Sequence, residues 1–117
     1  GWRAAARPAD AEGRAAFLMH VLRELRGGVH LLAVVATGLG ARAAVFASGG
    51  AATADQFGWA GPYDDLAGTS KQAAENLTDE ILIRLYTAVV SADEAAELAE
   101  LVKAMRVHVD GYAAADG

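Results

Sequence analysis

The sequence predicts an all-α fold, a compact bundle of about five or six helices. Three observations carry that expectation. Alanine, the strongest helix former, makes up about a quarter of the 117 residues. Apolar residues recur at three- and four-residue spacing along several segments, which is the period of a helical face. No segment alternates apolar and polar residues as a half-buried strand does. The length suits one domain and allows about two-thirds of the unfolded surface to be buried. The expected division is a tail or linker over 1–9, a helical domain over 10–109 and a second tail over 110–117.

Each element follows from its residues. Trp2, alone among polar neighbours, is expected to dock on the core. Asp10 is a suitable N-cap for a helix running to Arg26, with Leu18, Val21, Leu22 and Leu25 as its apolar stripe. Gly27-Gly28 is an expected helix stop, since glycine accepts the left-handed backbone of a C-cap. Residues 29–37 form a second helix, apolar nearly all round. Leu31, Leu32, Val34 and Val35 are therefore expected to be buried, either at the centre of the domain or in a dimer interface. Gly38-Leu39-Gly40 makes a turn into a third helix over 41–48, which Gly49-Gly50 ends. A short fourth helix fits 51–57. Phe57 and Trp59 then plug the core around a turn at 58–62.

Asp64 can cap the next element, and Gly68-Thr69-Ser70 kinks or splits it. A long helix follows over 71–90. Leu77, Ile81, Leu85 and Ala88 form its main stripe, widened by Leu82, Tyr86 and Val89. Glu80 and Arg84 are an i,i+4 pair in the favourable order, worth a few tenths of a kcal/mol. Ser91-Ala92-Asp93-Glu94 is a capping box that opens a last helix to about Val107. Leu98, Leu101, Val102 and Met105 face inward on it, with the acids outward and the chain frayed from Asp110.

Composition excludes several chemistries. Without cysteine there is no disulfide, thiolate metal site or cysteine nucleophile. A net charge of −5 opposes phosphate binding. Arg3, Arg7, Arg14, Arg23, Arg26 and Arg42 concentrate in the first 42 residues, and the late acids read as a solvated face. No signal peptide stands out, and the uncharged run 27–41 is shorter than the 18 or so residues a membrane span needs. The expectation is a cytoplasmic protein with no membrane contact.

Candidate sites are few. His20 and Glu24 share a helix face, but no Glu-x-x-His pair accompanies them, so no metal is expected. Ser48, Ser70 and Ser91 lack a nucleophile elbow, and the glycine pairs match no phosphate loop. Catalytic residues and cofactors are not expected. Residues 29–37, a glycine turn and residues 41–48 have a helix-turn-helix outline. Its second helix, however, offers Ala41, Ala43, Ala44, Val45, Phe46 and Ala47, which cannot read base edges; DNA is not the expected partner. His30 lies on the apolar helix and is expected to be a hydrogen-bonded core residue or, if functional, a polar anchor whose ring can donate and accept inside a greasy wall. With Arg26, Phe46, Trp59 and Tyr86 it forms the candidate pocket, for a small apolar or aromatic ligand.

The run from Leu22-Arg23-Glu24-Leu25-Arg26-Gly27-Gly28-Val29-His30 to Leu31-Leu32-Ala33, followed by Ala36-Thr37-Gly38-Leu39, resembles a motif of the SalK-like actinobacterial proteins. Gly58-Trp59 and the helix at Glu75-Asn76-Leu77-Thr78-Asp79-Glu80 are similar to that family too. The resemblance spans most of 14–107 and corresponds to the C-terminal half of such a protein. It implies a helix-turn-helix core and assigns no catalytic residue. After Trp59 no strand-turn-strand pattern follows that would form a wing. The functional expectation is a non-catalytic ligand-sensing or protein-interaction domain, related to winged-helix regulators and homodimeric. The competing expectation is a small-molecule enzyme or carrier with its pocket at His30.

Overall fold

The computed structural model describes the backbone of residues 2–115 and the side chains of residues 3–107. The expectations for the Trp2 side chain and for the last two residues lie outside the described residues. Four α-helices follow one another: α1 Ala11–Ala36, α2 Ala41–Gln56, α3 Gln72–Thr87 and α4 Ala92–Ala115, with 3-10 turns at Trp2–Ala4 and Asp64–Leu66. No strand occurs among the described residues. The chain divides between Leu82 and Ile83 into two compact units.

The all-helical class is as expected, but the helices are fewer and longer than the five or six anticipated. Gly27-Gly28 does not stop α1, which runs on to Ala36 and is 26 residues long in all. A glycine stop needs a positive φ, which Gly38, Gly50, Gly58 and Gly68 adopt and this pair does not. The reason lies in tertiary contacts on either side of the pair. Arg26 donates to Glu75 at 2.9 Å, and His30 meets Thr78 at 2.9 Å. Both partners sit on α3, so the two bonds bracket the glycines and hold α1 in register.

Local signals elsewhere act as read. Asp10 caps α1, its carboxylate accepting from the Gly13 amide at 2.6 Å. Gly50, at φ 67° and ψ −164°, breaks α2 internally, where a stop was expected. Before α4, the Ser91 amide donates to the Glu94 carboxylate at 2.8 Å, and the Glu94 amide returns a bond to Ser91 Oγ at 3.3 Å. The helix it opens runs past Val107 to Ala115.

The first unit is held by small side chains. Val29 and Ala33 of α1, Ala54 of α2, Leu66, and Ala74, Thr78 and Leu82 of α3 are its buried residues. The buried stripe of α3 is therefore offset from the one expected: Leu77 and Ile81 are half-buried and Leu85 is exposed. Alanine and threonine let helices approach closely, and a search for large apolar residues passes over them.

The chief correction concerns the apolar run. Leu31, Leu32 and Val35 are 65%, 68% and 69% exposed, and Val34 is only half-buried. The chain bends by 116° between α1 and α2. Val29 and Ala33 turn inward, and the large residues beside them line or border an open groove. Leu18 and Leu25, expected in the stripe of α1, are also exposed.

A clasp fixes the segment after α2. Tyr63 Oη donates to Asp55 at 2.5 Å and also meets the Trp59 carbonyl. Arg42 donates to the Pro62 carbonyl at 2.7 Å, pairs with Asp65 at 3.1 Å and lies over the Tyr63 ring at 5.1 Å. The bond to Asp55, burial and the Asp55 charge raise the Tyr63 pKa against the opposing Arg42. Asp64 begins the 3-10 turn, with Tyr63 in the capping position.

The second unit contains the last turn of α3, a short turn and α4. On α4, Leu98, Leu101 and Met105 are exposed and Val102 is half-buried, so the stripe read from the sequence is not a buried one. Its acids at Asp93, Glu94, Glu97 and Glu100 are exposed as expected.

Candidate ligand groove

An open groove of about 570 Å³ lies between the second half of α1 and α2. From α1 it takes Gly27, His30, Leu31, Val34 and Val35; from α2, Ala41, Ala44, Val45, Ser48 and Thr53; Leu39 and Phe57 complete it. Residues 27, 30, 31, 34 and 35 follow the 3-4 rule of one helical face, as do 41, 44, 45 and 48. The polar side chains are His30, Ser48 and Thr53. Thr53 Oγ1 is already engaged, donating to the Gly49 carbonyl at 2.9 Å. The size falls within the range of small-molecule sites, about 300–1,000 Å³.

Gly27 opens the floor: a Cβ placed there meets nothing within 4 Å. Gly49 is the reverse case, since its Cβ would lie 2.1 Å from Thr53 Oγ1. Thr53 is thus seated against the backbone one turn earlier, and Phe57 lines the groove beyond it.

His30 joins the groove to a polar cluster on α3. Its Nδ1 lies 2.9 Å from Thr78 Oγ1 and 3.9 Å from the Glu75 carboxylate. Glu75 also pairs with Arg26 at 2.9 Å and with Lys71 at 3.3 Å. Burial pushes the Glu75 pKa up, but the Lys71 hydrogen bond and the charges of His30, Lys71 and Arg26 outweigh it and hold the carboxyl below its ordinary range. Thr78 is fully buried, and its hydroxyl donates to the Ala74 carbonyl at 2.6 Å.

The five residues expected to share a pocket are dispersed. His30 lines the groove, and Arg26 meets it through Glu75. Phe46 stacks on Tyr63, with centroids 5.3 Å apart, in the clasp. Trp59 stacks on the groove residue Phe57 at 5.6 Å without lining the groove itself. Tyr86, half-buried, belongs to the second unit. Sequence reasoning missed Glu75 and Thr78. Their spacing of three on α3, with Lys71 one turn earlier, was the available signal.

Among the described residues no three His, Asp or Glu side chains gather as metal ligands. No single helix there is long and apolar enough to cross a membrane. No family model, curated protein or solved structure matches this chain.

Proposed function

We propose that the protein is a non-catalytic binding module that takes a small, mainly apolar ligand in the α1–α2 groove, with His30 as its polar anchor. One observation carries this reading: an apolar cleft of about 570 Å³ into which a histidine from a hydrogen-bonded cluster projects. The groove's free hydroxyl, Ser48, makes no hydrogen bond to a base among the described residues, which favours binding over catalysis. The 116° bend between α1 and α2 supports kinship with helix-turn-helix regulators in shape. Arg42, the one basic residue on α2, is held by Asp65, Pro62 and Tyr63, which supports a sensing role over DNA reading.

The test fills the groove. Ala44 lines it, half-buried, so Ala44→Trp should abolish the fluorescence enhancement of Nile red while leaving helical circular dichroism intact. His30→Ala should weaken binding of polar-headed ligands more than it lowers the melting temperature. Equal dye binding by wild type and Ala44→Trp overturns the reading, and a His30→Ala protein that only melts earlier makes His30 a structural residue.

A second reading, a homodimer, is favoured by exposed leucines on α1. Leu18, Leu25 and Leu32 are 52%, 39% and 68% exposed and spaced seven residues apart. That is the repeat of a helix–helix seam.

A further inference from the structure

We propose that the groove selects apolar ligands carrying a hydrogen-bond donor, alcohols and phenols above all, because Thr78 fixes which nitrogen of His30 bears the proton. The inference rests on the groove being a ligand site and names the ligand's chemistry.

Thr78 has one hydroxyl hydrogen. Its oxygen is 2.6 Å from the Ala74 carbonyl, a separation at which two oxygens repel unless a hydrogen lies between them. That hydrogen is spent on Ala74, so Thr78 Oγ1 offers His30 only lone pairs. The 2.9 Å contact with His30 Nδ1 therefore requires Nδ1–H as the donor. The Glu75 carboxylate, 3.9 Å from the same nitrogen, favours a proton there too. Neutral imidazole carries one ring N–H. With it on Nδ1, Nε2 is an acceptor. It makes no hydrogen bond with the described residues, and no unpaired polar side-chain atom is buried among them. His30 lines the groove, and Nε2 is the ring nitrogen left to meet a ligand there. Beside the hydroxyls of Ser48 and Thr53, a mainly apolar wall thus presents one imidazole lone pair, which a hydroxyl satisfies and an ether or a carboxylate does not.

The ring's state is read directly in the wild-type protein by long-range ¹H–¹⁵N NMR. The expected spectrum shows Nδ1 protonated and Nε2 unprotonated; the opposite assignment overturns the proposal. Ligand selection is read by titrating 1-naphthol, 1-methoxynaphthalene and 1-naphthoate at neutral pH. Wild type should bind the naphthol about tenfold more tightly than its methyl ether, the difference of one net hydrogen bond. In Thr78→Val, which removes the acceptor at nearly constant volume, that preference should shrink to about twofold or less. If none of the three binds, the groove reading itself fails. If naphthol and ether bind equally, the groove stands and donor selection is overturned. Tightest binding of naphthoate overturns it as well, since Nε2 then carries a proton. Should Thr78→Val not fold, the wild-type tautomer and ligand ratio still decide.

Discussion

At the scale of single residues, Glu75 carries the heaviest electrostatic load. Arg26, Lys71 and His30 converge on one carboxylate that is largely covered by protein. Its lowered pKa makes a definite claim about acid stability. A carboxyl whose folded pKa lies below its unfolded value, about 4.3 for glutamate, contributes fully above that value. The contribution is lost as pH falls through the lowered folded value. Glu75→Gln should therefore cost no more than about 1 kcal/mol at neutral pH, as befits a pair with a half-exposed arginine. It should also flatten the fall in stability below the ordinary glutamate range. Urea titrations across acidic pH check this, and an unchanged acid slope in the variant refutes it. The sequence could show that Arg26 and His30 lie one turn apart at a corner where polar groups meet apolar ones. It could not show Glu75 and Thr78 opposite them, because 49 and 48 residues separate the partners. Such a pairing exists only once α3 is placed against α1.

At the scale of elements, two glycines written in the same pair pattern have opposite roles. Gly28 lies inside α1 with helical backbone, and a Cβ built on it meets nothing within 4 Å. Gly50 lies at φ 67°, ψ −164°, a region almost reserved for glycine. At protein concentrations low enough to keep the chain monomeric, Gly28→Ala should stabilise the protein by up to about 1 kcal/mol through helix propensity. Gly50→Ala should destabilise it by about 1–3 kcal/mol through backbone strain. Thermal melts of the two variants should move in opposite directions; a shift in the same direction refutes the assignment of the two backbones. The contrast explains what was legible at this level. Signals complete within a few residues, such as Asp10 with Gly13 or Ser91 with Glu94, read correctly because both partners lie in one turn. A glycine pair is only a permission to break. Long-range bonds from Arg26 and His30 withhold it at 27–28, whereas 49–50 has no such bracket. Large-residue periodicity failed for a related reason. It located the faces of α1 and α3 by their leucines, while the close packing was made by Ala33, Ala74 and Thr78.

At the scale of the whole molecule, the question is what covers α1. Leu18, Leu25 and Leu32 are exposed and fall one heptad apart, and Val21, Gly28 and Val35 sit three residues after each of them. Together they describe a seam about 25 Å long at 1.5 Å per residue. Gly28, with open space above it, lets a second backbone approach at the seam's centre. A seam with Leu25 and Gly28 flanking its middle can pair the two across a two-fold axis, the geometry of the commonest oligomers. Leu32 does not line the groove, so it separates assembly from ligand binding. Leu32→Lys puts a charge into the seam while altering a side chain that is already 68% exposed, so the monomer's own packing should change little. Light scattering should give twice the chain mass for the wild type and the single-chain mass for the variant. The melting temperature of the wild type should rise with protein concentration, because assembly stabilises the folded state by mass action. That of Leu32→Lys should not. A wild type that stays monomeric with a concentration-independent melt removes the homodimer and leaves the groove reading standing on its own.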